Sequence, residues 1–164
     1  VGSDKNQQEH AFAVRSVTEA LAPFIADLAL SAAPFALKLP NVWHLSTDLN
    51  ARLTGGATAL DLAGALHPTA AIAGTPTPVA VAQIADQEPF DRGRYSGAVG
   101  WIGGTGDGEW AIALRCAQVD GVDGSAPRQI TAYAGGGIVA GSDPATELAE
   151  THSKFRPVLD AFGG

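Results

Sequence analysis

Apolar residues recur at helical spacing near the start of the chain. Between residues 3 and 30 they follow one another in steps of three and four, which fits the period of about 3.6 residues of an α-helix. The members of this pattern are Val14, Val17, Leu21, Phe24 or Ile25, and Leu28. The spacing predicts one helix over residues 3–30, and shorter patterns of the same kind predict helices over 58–66 and 79–87.

Alternating apolar and polar residues predict strands. Residues 42–49 alternate, which places His44 on the same face as Ser46 and Asp48. Glycine-rich residues 96–102 predict a strand, and a turn over 103–108 joins it to a second strand over 109–119. A further strand is expected over 129–134, so helices interleave with antiparallel hairpins and the predicted fold class is α+β.

Arg115 lies in an unusual position on the predicted strand 109–119. Its neighbours on the same face are small, namely Ala111, Ala113 and Ala117. Small neighbours leave a hollow, and burying a guanidinium there without an anion is costly. The pattern leaves two partners open, an internal acidic side chain or the carboxylate of a ligand.

A glycine run followed by a helix lies between residues 133 and 156. Gly135, Gly136 and Gly137 let a ligand approach the backbone, and successive N–H groups in such a corner can bind an anion. Asp143-Pro144 predicts a helix start. The predicted packing stripe of that helix consists of Leu148, His152, Phe155 and Leu159.

Three charged residues share another face of the same helix. Glu147, Glu150 and Lys154 fall at i, i+3 and i+7. Two carboxylates beside an anion-binding corner indicate a hard cation that bridges to an acidic small molecule. The same spacing is also typical of a well-capped, solvated surface helix, and the spacing alone leaves both interpretations open.

Charge and cysteine content narrow the function classes. The formal net charge is −7 and the isoelectric point is near 4.8, which argues against nucleic acid or an anionic membrane as a partner. A single cysteine excludes an internal disulfide and favours a reducing, cytoplasmic location. No apolar run reaches the length that spans a membrane.

Three segments have distinctive sequences, namely Tyr-Ala-Gly-Gly-Gly-Ile-Val-Ala-Gly-Ser-Asp-Pro at 133–144, Phe-Asp-Arg-Gly-Arg-Tyr-Ser-Gly at 90–97 and Ala-Ile-Ala-Leu-Arg at 111–115. The first resembles the closing signature of the chorismate-utilising enzymes, a family that includes isochorismate, salicylate, anthranilate and aminodeoxychorismate synthases. The other two are similar to two other segments of that family. Leu-His-Pro-Thr-Ala-Ala-Ile-Ala-Gly-Thr-Pro at 66–76 resembles isochorismate synthases of menaquinone and siderophore pathways.

The resemblance implies a set of site residues. It places Mg²⁺ on the ring carboxylate of chorismate, held by Glu9 and Glu150 directly and by Glu147 through a water. It implies that His44 is a catalytic residue that lies beside the substrate ring. The residues implied to hold the carboxylates and the enolpyruvyl group are Tyr95, Arg115, Gly135, Gly136, Gly137 and Lys154.

The resemblance also implies an incomplete catalytic domain. Residues 1–164 match the C-terminal half of the chorismate-binding domain, whose fold is largely antiparallel sheet with outer helices. The chain contains no Met, and the general-base Lys and general-acid Glu of the family are expected upstream of Val1. The expected activity is therefore Mg-dependent conversion of chorismate to isochorismate by a parent protein, with this chain inactive without the missing N-terminal half.

Two alternatives stay open. A salicylate or anthranilate synthase would share nearly all of these residues. The second alternative is that the chain is a non-catalytic half that assembles with a separate N-terminal chain.

Overall fold

The computed structural model describes residues 4–39, 42–120 and 129–163, without the side chains of 4–6, 8–9, 39 and 42–43. The chain folds as two compact units. The first comprises Val1–Pro89 and Ala98–Ala111, and the second comprises Phe90–Gly97 and Ile112–Gly164.

The first unit begins with helix α1, Asp4–Leu21, and a 3₁₀ turn over Ala22–Phe24. The prediction of one helix to residue 30 is wrong, because strand β1 occupies Ile25–Leu30. Pro23 has no N–H for a helical hydrogen bond and disfavours helical backbone at the residue before it. The apolar spacing continues past this point, but the backbone cannot follow it.

A long two-stranded antiparallel ribbon follows. Its outer part pairs β1 with β4, Leu49–Leu53, and its inner part pairs β2, Phe35–Leu39, with β3, Val42–Ser46. Ser31 N–H donates to the carbonyl of Asp48 over 3.0 Å where the two parts join. The single predicted strand over 42–49 is therefore two strands, β3 and β4, separated at residues 47 and 48.

Three helices complete the middle of the first unit. They are α2, Ala59–Leu66, α3, Ala70–Ala73, and α4, Thr77–Gln87. Thr58 and Asp61 form a capping box at the start of α2, in which each side chain bonds the backbone N–H of the other residue. The helices predicted over 58–66 and 79–87 are confirmed, and the segment 66–76 between them contains the short helix α3.

The predicted hairpin is shorter than expected. Strands β5, Ala98–Ile102, and β6, Gly108–Ile112, pair around the turn at 103–107. The strand predicted over 109–119 is wrong as one element, because it stops at Ile112 and resumes as β7, Cys116–Asp120. Arg115 lies in the break with φ of 49°, in the left-handed region that interrupts a strand.

The second unit contains β7, its antiparallel partner β8, Gln129–Tyr133, and helix α5, Pro144–Ala161. Val158 of α5, 7% exposed, is the buried apolar side chain among the described residues, and Ser96 is the buried polar one. Helices and two-stranded sheets alternate through the described ranges, which confirms the α+β class. No helix in those ranges is both long and apolar enough to cross a membrane.

Candidate functional site

Helix α5 begins as its sequence predicts. The Oδ1 atom of Asp143 accepts hydrogen bonds from the backbone N–H of Thr146 at 2.9 Å and from its hydroxyl at 2.7 Å. These bonds, the side-chain one foremost, lower the pKa of Asp143 below its usual value. Pro144 occupies the first turn, where its missing N–H costs nothing.

The packed face of α5 is not the apolar stripe that the sequence predicts. Leu148 and Leu159 of that stripe are 57% and 52% exposed, and His152 is also exposed. The helix instead turns a mixed face inward, made of Glu147, Thr151, Lys154, Phe155 and Val158. Helix α5 packs against β8, and Glu147 and Lys154 lie on the inner side of the helix, whereas Glu150 is exposed.

The glycine corner, residues 135–137, lies against this inner face. Lys154 donates from Nζ to the carbonyl oxygen of Gly135 over 3.1 Å. A Cβ atom at Gly136 would lie 3.3 Å from Glu147 Oε2 and 3.9 Å from Lys154 Nζ. Glycine at position 136 therefore lets the backbone approach the two charged side chains closely.

The charges on this face are fixed by further contacts. Lys154 Nζ lies 2.6 Å from Glu150 Oε1, and the Ser142 hydroxyl donates to Glu147 Oε1 over 2.7 Å. The Ser142 hydroxyl in turn accepts from the backbone N–H of Val139 over 3.1 Å. The side chain of Lys154 is 22% exposed and that of Glu150 is 53% exposed, so solvent and salt screen this ion pair in part.

A groove of about 360 Å³ lies beside Glu147 at the start of α5. Its lining is mostly apolar and consists of Ile138, Ser142, Pro144, Glu147, Leu148 and Thr151. Glu147 thus contributes to both the glycine corner and the groove.

Tyr95 reaches the glycine corner from another part of the second unit. It lies in a turn closed by its own N–H, which donates to the carbonyl of Arg92 over 2.8 Å. Its hydroxyl oxygen lies 3.1 Å from where a Cβ atom on Gly135 would be. The structure therefore brings Tyr95, the corner and the charged face of α5 together.

Two neighbours of Tyr95 were not identified from the sequence. The ring of Tyr133 stacks on that of Tyr95, with centroids 5.3 Å apart and an angle of 16° between the planes. The guanidinium carbon of Arg92 lies 5.6 Å from the centroid of the Tyr95 ring. Their positions in the sequence could have indicated this proximity. Tyr133 ends the strand that leads into the glycine corner, and Arg92 lies three residues before Tyr95.

Arg115 is held in a constrained backbone. The N–H of Leu114 bonds the carbonyl of Ile112 over 2.8 Å, and Arg115 itself has positive φ. Its side chain is half-buried, and no carboxylate among the described residues lies within ion-pair distance of it. The two partners left open by the sequence, an internal acidic side chain and the carboxylate of a ligand, both stay predictions.

The other predicted site residues belong to the first unit. Glu9 lies on α1, and its side chain is outside the described residues. His44 lies on β3 opposite Leu37 and is half-buried. The α1 helix is anchored by His10, whose Nε2 lies 2.7 Å from the Thr47 hydroxyl. The roles of Glu9 and His44 stay predictions.

Two of the three predicted magnesium ligands, Glu147 and Glu150, lie on helix α5. Among the described side chains, no group of three His, Cys, Asp or Glu residues gathers closely enough to hold a metal ion. Glu147 and Glu150 supply carboxylate oxygens on adjacent turns of α5, which is the donor chemistry that Mg²⁺ prefers. The residues therefore fit part of a magnesium site, and Glu9, the third predicted ligand, is not described.

Comparison with known proteins gives consistent similarities. A family model described as chorismate binding enzyme matches residues 1–163. Isochorismate synthase DhbC of Bacillus subtilis (strain 168) is 44% identical over 99% of this chain and 40% of its own length. The solved structure of DhbC from Bacillus anthracis is 40% identical, with a TM-score of 0.86 over 99% of this chain and 42% of that one.

A third match is the structure of MenF, the menaquinone-specific isochorismate synthase from Escherichia coli. It is 32% identical, with a TM-score of 0.77, and covers 96% of this chain and 35% of that one. The present chain thus spans about two fifths of the length of the relatives that it matches.

Proposed function

Because the chain belongs to the chorismate-binding enzyme family, we propose that it forms the carboxylate-binding part of an isochorismate synthase. The observation that carries the proposal is the meeting of the glycine corner, the Tyr95 hydroxyl and the charged face of α5 in one unit. Similarity to isochorismate synthases over nearly the whole chain supports the choice of reaction.

Chorismate is a dicarboxylate, and the second unit offers cations and N–H donors for it. Arg115 is proposed to bind one carboxylate, since its planar fork suits bidentate contact and its side chain is half-buried in the second unit. Lys154 and the N–H groups of Gly135, Gly136 and Gly137 are proposed to contact the other carboxylate. The Tyr95 hydroxyl would donate on the enolpyruvyl side.

Magnesium is proposed as the cofactor. Glu150 and Glu9 would hold it directly, and Glu147 would hold it through a water. When bound, the ion neutralises the ring carboxylate and draws electron density from the ring. Ser142 and Lys154 fix the two carboxylates of α5, so these side chains need little reorganisation when the cation arrives.

The reaction exchanges the position of one hydroxyl. Water adds at C2 and gives its proton to a base, while the C4 oxygen takes a proton from an acid and departs as water. We propose that both groups, a Lys and a Glu, come from a further polypeptide segment, and that His44 orients the ring or the departing hydroxyl. On this account the isolated chain is inactive.

A salicylate synthase and an anthranilate synthase would share nearly all of the residues proposed to contact chorismate. A salicylate synthase would also release pyruvate, and an anthranilate synthase would also consume an amine donor. Residues 66–76 favour isochorismate as the product, because their sequence resembles isochorismate synthases.

Product analysis of the full-length protein with chorismate and Mg²⁺ tests the proposal. Isochorismate as the accumulating product supports it. Formation of salicylate with pyruvate would instead indicate a salicylate synthase. Formation of anthranilate when ammonia is added would indicate an anthranilate synthase. Isochorismate formed by the isolated chain would contradict the proposed need for a further segment. A non-catalytic half would give no turnover in any arrangement.

A further inference from the structure

Tyr95 depends on its neighbours for its position. It lies in a turn rather than in a helix or strand, and the turn is closed by two bonds, Tyr95 N–H to Arg92 C=O and Gly97 N–H to Arg94 C=O. Ser96 anchors the turn through its N–H, which donates to the carbonyl of Ala113 over 2.9 Å. These contacts fix the backbone but leave the direction of the Tyr95 ring to side-chain packing.

The Tyr95 ring packs face to face on the ring of Tyr133. The two rings are nearly parallel, 16° apart in angle and 5.3 Å apart between centroids, which is a favourable offset stack. Phe90 supports Tyr133 with a centroid distance of 6.0 Å and a tilt of 48°. Arg92 makes a cation–π contact with Tyr95 and also reaches the Ser96 hydroxyl at 3.4 Å.

Tyr133 is placed to link this ring to the glycine corner. It is the last residue of β8, and Gly135 follows two residues later. The end of β8 therefore positions both the backbone of the glycine corner and the ring on which Tyr95 stacks. The Tyr95 hydroxyl then lies against Gly135, where any larger residue would meet it at 3.1 Å.

We propose that Tyr133 is a positioning residue that sets the Tyr95 hydroxyl at the glycine corner for contact with a bound carboxylate or enolpyruvyl oxygen. The inference rests on the proposed function, since it concerns the same ligand. Tyr133 acts through its ring, not through its own hydroxyl. Tyr133→Phe therefore retains the stack, and Tyr133→Leu removes it.

The test uses steady-state kinetics of the full-length protein with chorismate. Tyr133→Leu should raise KM about tenfold with little change in kcat, because a contact made equally in the bound and transition states is weakened. Tyr133→Phe should stay within about twofold of the wild type. Phe162→Leu, which removes an aromatic ring that is 52% exposed at the end of α5, serves as the control and should also stay within about twofold.

A double-mutant cycle separates positioning from general loss of structure. Tyr95→Phe alone should raise KM, and adding Tyr133→Leu to it should raise KM no further, since no hydroxyl is left to position. If Tyr133→Leu fails to fold, Tyr133→Ile, whose branched side chain suits a strand end, is measured in the same cycle.

The outcomes distinguish the two levels of the account. Two outcomes would overturn the role of Tyr133 while leaving the proposed function intact, provided that the protein converts chorismate. The first is a KM within about twofold of the wild type for Tyr133→Leu or Tyr133→Ile. The second is an additive effect of Tyr95→Phe and Tyr133→Leu on KM. A wild-type protein that neither binds nor converts chorismate overturns the proposed function and this inference together.

Discussion

Lys154 Nζ donates a hydrogen bond to the carbonyl oxygen of Gly135 over 3.1 Å, and so ties helix α5 to a corner nineteen residues earlier in the chain. The same ammonium lies 2.6 Å from Glu150 Oε1. Lysine has three donors, and these two acceptors use two of them. The bond therefore explains how the charged face of α5 and the glycine corner keep a fixed relation before any ligand binds.

Arg115 is expected to be the strongest single determinant of substrate binding. In the full-length protein, Arg115→Ala should lower kcat/KM for chorismate by about a hundredfold or more, since the proposed bidentate contact would be lost. Arg115→Lys should fall in between, because it keeps the charge but not the fork. Arg94→Ala is the control, since Arg94 is exposed on the nearby turn. A loss below about tenfold for Arg115→Ala would count against the carboxylate role.

Gly136 is expected to matter for activity and not for stability. A methyl group there meets Glu147 Oε2 at 3.3 Å, and the flexible end of that side chain moves more easily than backbone. Gly136→Ala should lower kcat/KM about tenfold or more through misplacement of the carboxylate. It should change the free energy of unfolding by less than about 0.5 kcal/mol.

Gly104→Ala provides the matched glycine control. Gly104 lies in the turn between β5 and β6, and an added methyl meets no atom within 4 Å. Both kinetic and unfolding measurements should stay near wild-type values. Equal losses of activity in the two variants would show that the contact with Glu147 is irrelevant.

The corrected packing face of α5 gives a prediction for stability. Val158 is 7% exposed, so Val158→Ala should lower the free energy of unfolding by about 1–3 kcal/mol. Leu148 is 57% exposed, so Leu148→Ala should change it by less than about 0.5 kcal/mol. Urea unfolding of the chain measures both, and a larger effect at Leu148 would restore the stripe predicted from the sequence.

The helix cap at Asp143 predicts a pH dependence. Its pKa is lowered in the folded chain by the hydrogen bonds from Thr146, so the cap stabilises the fold fully above the ordinary value of 3.8. That contribution is lost as the pH falls through the lower, folded pKa. The Tm difference between the wild type and Asp143→Asn should therefore be positive at neutral pH and shrink below about pH 4.

The Thr146 hydroxyl should account for part of this effect. In a Thr146→Val background, the Tm difference caused by Asp143→Asn should be smaller, because one of the two bonds to the carboxylate is already absent. A Tm difference that stays constant from neutral to acid pH would contradict the capping role.

Local rules predicted the Asp143 cap and the short helices well. The bonds of Asp143 lie within three residues, so the sequence around it contains the whole interaction. The cap at Thr58, which the structure adds, is equally local. The predicted strand through Arg115 failed for the opposite reason. Ser96 donates to Ala113 and Gly97 accepts from it, and these distant bonds accompany the break in the strand.

The site was partly predictable on the same grounds. Glu147, Glu150 and Lys154 share a face by helical spacing, and the structure keeps them together with the corner. The face of α5 that packs inward is determined by its contacts with β8 and the glycine corner. For this reason the packing face predicted from the apolar stripe was wrong. The stack of Tyr95 on Tyr133 joins residues far apart in sequence, and neither spacing nor composition encodes it.

The most direct test of the account is the Mg²⁺ dependence of isochorismate formation by the full-length protein and its Glu150→Gln variant. We predict that isochorismate accumulates with Mg²⁺, stops with a chelator, and requires about tenfold or more Mg²⁺ in the variant, because a charged oxygen ligand is replaced by a neutral one. Asp160→Asn, a change of the same kind at an exposed position on α5, should leave that requirement unchanged. Isochorismate formation that persists without Mg²⁺, or an unaltered requirement in Glu150→Gln, would contradict the account.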